Sequence, residues 1–240
     1  MTSRVSWKRA ELRYLLKAEP HFIAIPALGL AYGRVPKVAN SLIKRTLAHA
    51  AGLERRFPPR GFSKDNNWRG LAPDAHFIDA RTLQRRFPDL FVFAFVRDPL
   101  SRLASCYRSK IAANNLTRGM AMEGLTADTT FAEFVHHVAA RNDRRCNIHY
   151  RPQAAILSMP HGHRPDFIGR FENLREDWAA LTKMLADRNG SALPPLPHRT
   201  KGRNVTDPST FFGQDTALTA LAADRYAEDY RLFYPGQAPT

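Results

Sequence analysis

The chain has 240 residues, 44% of them hydrophobic, which is enough for one substantial core. Its 36 lysines and arginines outnumber 22 acidic residues, and the net charge of +14 favours polyanionic over neutral ligands. The two cysteines, Cys106 and Cys146, exclude a disulfide framework and indicate a reducing compartment. We expect a single domain, with residues 1–27 as an extension of a core over 28–235.

No segment is predicted to cross a membrane. The longest apolar stretch, residues 22–32, is too short to span a bilayer and contains Pro26. Neither a signal peptide nor an anchor is recognised. The sequence therefore predicts a cytoplasmic protein, with peripheral contact to a membrane surface left open.

The first predicted elements are a helix, a strand, a turn and a second helix. Residues 5–18 have an amphipathic helical pattern, and residues 28–35 are typical of a buried strand. A turn then leads into a helix that Asn40 or Ser41 can cap. Residues 52–74 are rich in Pro, Gly, Arg and Asn and are predicted to form a long exposed loop.

A second strand, turn and helix follow. Residues 76–78 are predicted to be a short strand and 80–87 a helix stopped by a proline. Residues 90–96 are apolar on both faces, which is typical of a central strand in a covered parallel sheet. Pro99 suits the first turn of the next helix. Two such units predict an α/β fold.

The remainder of the chain is predicted to be mostly helical. One short strand and one irregular stretch are expected, at residues 166–170 and 190–210. The predicted helices cover residues 131–141, 151–157, a segment from Asn173 through Leu185, and 214–233.

The first candidate anion site lies where the first predicted strand ends. It comprises Val35-Pro36-Lys37-Val38-Ala39-Asn40-Ser41. Backbone N–H groups and the dipole of the next helix favour an anion at such a turn. Lys37 adds a mobile positive charge and Ser41 a hydroxyl donor. A lysine before a helix is more often a solvated surface residue, so this segment alone does not define a function.

The second candidate anion site follows the central strand. Arg97 leaves the carboxyl end of that strand, where open α/β sheets bind ligands, and a guanidinium group matches a phosphate bidentately. Ser105 shares one stripe of the next helix with Arg102 and Ser109. The alternative is an ordinary helix start, with Asp98 as the cap and Arg102 solvated.

Together the two segments resemble the signatures that bind 3′-phosphoadenosine 5′-phosphosulfate (PAPS) in the sulfotransferase superfamily. The first is similar to the 5′-phosphosulfate loop, and Arg97-Asp98-Pro99-x-x-Arg102-x-x-Ser105-x-Tyr107 is similar to the 3′-phosphate motif. The likeness covers about residues 30–235. Further segments resemble the family-2 carbohydrate sulfotransferases, which include Golgi enzymes and bacterial relatives, namely 147–153, 166–174 and 226–233.

This resemblance implies a P-loop-NTPase-like, three-layer α/β fold with a central parallel sheet flanked by helices. It also implies transfer of a sulfuryl group from PAPS to a carbohydrate hydroxyl, leaving adenosine 3′,5′-bisphosphate, without a metal ion. Basic loops suit an acidic sugar acceptor, and a solvated basic face is the plain alternative. The resemblance assigns donor binding to Pro36, Lys37, Val38, Ala39, Asn40, Ser41, Arg97 and Ser105, with Lys37 also catalytic.

The sequence departs from the family pattern in two respects. Leu42 stands where relatives often carry Ser or Thr, so backbone N–H groups have to replace one hydroxyl donor to the 5′ phosphate. The membrane anchor of the Golgi enzymes is not recognised. These departures fit a bacterial cytoplasmic enzyme and weaken any transfer of the animal acceptors to this chain.

His76 is the predicted catalytic base, in preference to His149. A histidine with an ordinary pKa is largely neutral at physiological pH and can accept a proton. His76 lies between the two motifs, and related enzymes carry a base histidine at a similar place. If its strand adjoined the strand before Arg97, the side chain would reach the same sheet edge as Lys37. His149 and Arg151 are predicted to bind the acceptor.

Three alternatives are less favoured by the sequence: a kinase, a nucleic-acid-binding module and a metal site. A kinase would need a glycine-rich Walker loop, and residues 35–41 contain no glycine. A nucleic-acid-binding module would explain the positive charge, but no recognised motif supports it and no such partner is expected. A metal site is not expected, because the His and Cys pairs at 136–137, 146–149 and 161–163 lack a second ligand pair at zinc spacing.

Overall fold

The computed structural model describes residues 19–56, 61–143, 146–190, 192–197 and 207–237. The chain divides into two compact units, which are described separately. The first unit comprises residues 1–96 and 156–200, and the second comprises 97–155 and 201–240. The helix predicted over residues 5–18 lies outside the described residues. The single-domain organisation stays a prediction.

The first unit is built on a five-stranded mixed sheet with the order β3-β1-β2-β4-β5. Strands β2, β4 and β5 run parallel, as predicted for this part of the sheet. Strand β1 runs antiparallel to both β2 and β3. The strands span Phe22–Ile25 (β1), Leu30–Gly33 (β2), His76–Ile78 (β3), Phe91–Val96 (β4) and Phe167–Arg170 (β5).

The predicted parallel sheet is observed only in part, because β1 and β2 form an antiparallel hairpin. A 3-10 turn at Pro26–Leu28 reverses the chain, and Gly29 follows with φ 64°. Strands joined by so short a connection pair antiparallel. The whole stretch 22–32 is apolar, so no periodicity separates the two strands in the sequence. Strand β1 therefore lies in the sheet, although the predicted core begins at residue 28.

Ten α-helices lie in the part of the chain that the structure describes. The first unit contains α1, α2 and α7, and the second contains the other seven. Their bounds are Asn40–Ala50 (α1), Ala80–Arg86 (α2), Pro99–Lys110 (α3), Arg118–Met122 (α4), Phe131–Ala139 (α5), Gln153–Ile156 (α6), Leu174–Asn189 (α7), Ser209–Phe212 (α8), Thr216–Arg225 (α9) and Ala227–Phe233 (α10).

Helices cover both faces of the sheet at β4. On one face, the rings of Phe93 and Phe95 lie 6.2 and 6.1 Å from the ring of Trp178 in α7. On the other face, Val92 packs in a cluster with Leu83 of α2. Successive side chains of a strand point to opposite faces, so a strand covered on both sides is apolar throughout. All six residues of β4 are buried, which confirms the prediction of a covered central strand.

In the second unit, the last predicted helix is two helices. Tyr226 lies between α9 and α10 with φ −108° and ψ 18°, outside the helical region. Its buried hydroxyl donates to the carbonyl of Tyr150 at 2.7 Å. The apolar period continues through this break, which is why the sequence pattern predicts one helix over 214–233.

Candidate functional site

The loop between β2 and α1 has an unusual backbone. Lys37 has φ 73° and Ala39 has φ 53°, so two residues with side chains adopt the left-handed region. Such residues are uncommon outside glycine, and each costs roughly 1–3 kcal/mol unless the surrounding structure imposes it. Strained positions of this kind cluster at ligand-binding sites. The loop thus has the geometry of a site as well as its residues.

The amides at the start of α1 face the same loop. The N–H groups of Leu42 and Ile43 both donate to the carbonyl of Ala39, at 2.8 and 3.1 Å. The amides of Asn40 and Ser41 precede these bonds and have no acceptor within the helix. Together with the helix dipole they favour an anion at this end. The unit therefore presents backbone donors at the place predicted for the 5′ phosphate.

The side chains of the loop differ from prediction in one respect. Ala39 occupies the N-cap position and no side chain caps α1, so the predicted cap by Asn40 or Ser41 is wrong. The Asn40 side chain instead accepts a hydrogen bond from the buried Tyr32 hydroxyl at 3.3 Å. Ser41 is exposed and Lys37 is half-buried. Both are placed where a ligand can approach them.

Residues 61–68 contain two packed aromatic side chains, although an exposed loop is predicted over residues 52–74. Phe62 and Trp68 are fully buried, and their rings meet edge to face at 5.5 Å. The indole N–H of Trp68 donates to the carbonyl of Phe62 at 2.9 Å. Much of the described part of this loop is exposed as predicted, and the prediction is wrong only around Phe62 and Trp68, which anchor it.

Arg97 opens the second candidate site and is only 4% exposed. Its peptide N–H donates to Gln153 Oε1 at 2.9 Å, and its carbonyl accepts from Gln153 Nε2 at 2.8 Å. One side chain therefore satisfies both backbone groups of Arg97. Ser105, on α3, is buried in the same unit. Asp98 caps α3, as the alternative of an ordinary helix start expects, and accepts from the N–H of Ser101 at 2.7 Å.

Gln153 is itself held by a buried carboxylate, that of Asp229 on α10. Asp229 accepts the backbone N–H groups of Gln153 and Ala154 at 2.9 and 2.7 Å. Burial raises the pKa of this carboxyl from 3.8 to about 6. Sequence reasoning missed both residues, because nothing in a pattern pairs positions that lie 76 apart. Their one signal is that each lies in a segment that resembles the carbohydrate sulfotransferases.

Arg102 does not sit in solvent, so the alternative of a solvated Arg102 is wrong. It is 1% exposed and donates to the carbonyls of Arg151 at 2.8 Å and Ile148 at 3.1 Å. Arg151 is also buried, with Nε and Nη2 donating to the Cys146 carbonyl at 3.1 and 2.9 Å.

His149 is half-buried, with Nδ1 2.9 Å from Asn147 Oδ1. Acceptor binding by His149 and Arg151 stays a prediction.

His76 lies on β3, at the edge of the sheet. The hairpin of β1 and β2 separates β3 from β4, so the predicted adjacency of these strands is wrong. His76 pairs with Ala24, which pairs with Ala31, so it lies level with the middle of β2. Its ring is 5.0 Å from the ring of Phe87 and it is half-buried. Its role as the base stays a prediction.

Two further observations concern the described ranges as a whole. Within them, no group of three or more His, Cys, Asp or Glu residues is arranged to hold a metal ion. No helix in those ranges is long and apolar enough to cross a membrane.

Comparisons with known proteins identify relatives of this chain. Carbohydrate sulfotransferase 14 of Mus musculus is 31% identical over 189 residues, covering 72% of this chain and 46% of that protein. The Homo sapiens protein of that name is 30% identical over the same length, with the same coverage. Carbohydrate sulfotransferase 11 of Danio rerio is 24% identical over 252 residues, covering 93% of this chain and 67% of that protein.

The chain thus spans about half the length of the mouse and human relatives. No solved structure matches it significantly. A profile of the sulfotransferase family matches residues 20–235, which is most of the chain and includes both candidate anion sites. This chain belongs to the sulfotransferase family.

Proposed function

We propose that this protein transfers a sulfuryl group from PAPS to a hydroxyl of a carbohydrate. The observation that carries the proposal is the strained turn at Lys37 and Ala39 before the uncapped start of α1. Family membership supports PAPS as the donor, and the names of the relatives support a carbohydrate acceptor. The same membership supports a P-loop-NTPase-like, three-layer architecture.

Each end of the donor has its own residues in this proposal. Pro36, Lys37 and the amides of residues 38–41 bind the 5′-phosphosulfate, and Arg97 and Ser105 bind the 3′ phosphate. The first set supplies backbone donors, a helix dipole and one mobile cation. The second supplies a guanidinium group suited to bidentate phosphate binding. The proposal thus assigns one set of phosphate-binding residues to each anionic end of the nucleotide.

Sulfuryl transfer proceeds as an in-line displacement, to which a protein contributes position and charge. Lys37 stabilises the charge that develops on the oxygen bridging phosphate and sulfur as that bond breaks. His76 accepts the proton of the attacking hydroxyl. The positive charge comes from Lys37, so the proposed step requires no metal ion.

The acceptor is proposed as an acidic sugar, in keeping with the net charge of +14. Bacterial origin and a cytoplasmic location stay predictions. A kinase is not favoured, since the loop over residues 35–41 lacks the glycines that let a Walker loop wrap phosphates.

A transfer assay tests the proposal. The protein is incubated with 35S-labelled PAPS and one acceptor at a time: unsulfated polysaccharides that are acidic (chondroitin, dermatan, heparosan) or neutral (dextran), and a simple phenol. We expect label on at least one acidic polysaccharide and little with Lys37→Ala. Label on a simple phenol but on no carbohydrate would contradict the carbohydrate assignment, and no transfer to either would contradict the activity.

A further inference from the structure

Two buried cations flank the loop that carries Lys37. Arg34 lies directly after β2 and is 5% exposed, and Lys44 lies in the second turn of α1 and is 0% exposed. Both contact one carboxylate. Arg34 Nη1 is 2.8 Å from Asp65 Oδ2, and Lys44 Nζ is 2.6 Å from Asp65 Oδ1. Asp65 therefore bridges the chain on both sides of the loop.

The segment that carries Asp65 is anchored. Lys44 Nζ also donates to the carbonyl of Ser63 at 2.6 Å. Asp65 lies between Phe62 and Trp68 in the sequence, and the rings of these two buried residues are in contact. Asp65 is also the first residue of a short 3-10 turn, Asp65–Trp68. The carboxylate is consequently presented from a packed segment to the two cations.

The orientation of Arg34 is fixed from a second side. Its guanidinium carbon lies 5.3 Å from the centre of the Phe77 ring on β3. Burying an arginine and a lysine beside each other is unfavourable without a counter-charge, and Asp65 supplies one. With all three groups ionised, the cluster keeps a net positive charge next to the loop. The carboxylate therefore fixes the positions of both cations on the two flanks of the loop.

We propose that Asp65 is a positioning residue for the phosphosulfate end of the donor. By holding Arg34 and Lys44 together, it keeps the strained turn at Lys37 and Ala39 in the shape that binds an anion. Strained residues persist only where the surroundings impose them, and Asp65 joins the two flanks of this turn. The inference rests on the proposed function and deepens it, because Asp65 acts on one end of the nucleotide only.

Two nucleotides that differ in one phosphate test this inference. Calorimetry gives the affinity for adenosine 3′,5′-bisphosphate and for adenosine 3′-monophosphate. The first affinity divided by the second is a ratio that measures the contribution of the 5′ phosphate alone. We expect Asp65→Asn to lower this ratio by about tenfold, comparable to one lost charge-assisted hydrogen bond. Affinity for the 3′-monophosphate should change by less than about twofold, since the 3′ site has other ligands.

Two variants accompany Asp65→Asn. Asp74→Asn removes an exposed carboxylate of the same region, whose contact with Arg56 Nη2 is 3.4 Å, and should leave the ratio unchanged. The double variant Lys44→Met with Asp65→Asn removes both partners of an ion pair whose lysine is buried, a change that folded proteins often tolerate. It should lower the ratio as the single variant does. Thermal melts establish that each variant is folded.

A folded Asp65→Asn protein with the wild-type ratio would overturn the inference. Equal losses for both nucleotides, or failure of both Asp65 variants to fold, would also overturn it, because Asp65 would then support the fold rather than the loop. Failure of the wild type to bind either nucleotide is a separate outcome. It would overturn the proposed function itself, and this inference with it.

Discussion

The backbone conformation of Lys37 depends on contacts made elsewhere in the chain. Its charge and its place before a helix are visible in the sequence, but its φ of 73° is not. A residue with a side chain enters the left-handed region only when contacts elsewhere compensate for the strain. Here those contacts involve Asp65, which lies in a segment predicted as an exposed loop. The motif was predictable, and its conformation was not.

The assignment of the base is tested by two histidine variants. We expect His76→Ala to lose about 10²–10⁴-fold in sulfuryl transfer while keeping its affinity for adenosine 3′,5′-bisphosphate. The reason is that a base acts on the acceptor hydroxyl and not on the donor. His149→Ala is the matched variant and should retain its turnover at saturating acceptor. Rates come from the 35S assay and affinities from calorimetry.

Near-normal turnover in His76→Ala would remove this residue from the mechanism. A selective loss in His149→Ala would transfer the role to His149. The comparison matters because the strand adjacency that favoured His76 is absent from the sheet, where β1 and β2 lie between β3 and β4.

Strands and helices are predicted correctly where the local apolar pattern of the sequence matches the burial of its residues in the structure. Strand β4 is apolar at every position because helices cover both of its faces. Strand β1 was missed because a continuous apolar stretch hides the turn inside it. Its hairpin changes half of the sheet from parallel to antiparallel and displaces His76 from the strand that precedes Arg97.

Helix α10 supports the start of the Arg97 segment through buried polar contacts. Asp229 holds the start of α6, and Gln153 from that helix holds the peptide groups of Arg97. Buried polar groups that are fully hydrogen-bonded favour one arrangement over others. The position of Arg97 thus depends on two residues that a search for phosphate ligands does not select.

The raised pKa of Asp229 predicts a pH dependence of stability. Its carboxyl has a pKa of about 6 in the folded protein against the ordinary 3.8, so the folded state binds the proton more tightly. The contribution of this group to the free energy of unfolding therefore falls as pH rises from about 4 to about 6 and is constant above. The difference corresponds to roughly 3 kcal/mol.

Urea unfolding of wild type and Asp229→Asn from pH 4 to pH 7 measures this effect. The free energy of unfolding of wild type minus that of the variant should decline between about pH 4 and 6 and then level off. Asn does not titrate, so any stability lost through the substitution itself is the same at every pH. It shifts the whole difference curve without changing its slope against pH. Parallel curves for the two proteins would show that Asp229 titrates at its ordinary pKa.

For the molecule as a whole, charge and two short motifs identified the family, while the supporting contacts needed the structure. The net charge of +14 predicts an anionic ligand, and the Lys37 and Arg97 segments carry the resemblance to PAPS-binding motifs. The carboxylates that hold those segments, Asp65 and Asp229, were not predicted. Their partners lie far along the chain, and long-range pairing is set by packing rather than by local sequence.

The most direct test of the account is the binding of adenosine 3′,5′-bisphosphate, measured by calorimetry with EDTA present. We expect micromolar affinity without divalent metal, because both phosphates find sites within the protein. Arg97→Ala should weaken binding by about 10- to 150-fold and Ser105→Ala by less, since a charge-assisted hydrogen bond is worth more than a neutral one. Equal affinity in Arg97→Ala, or binding of ATP with magnesium but not of the bisphosphate, would contradict the account.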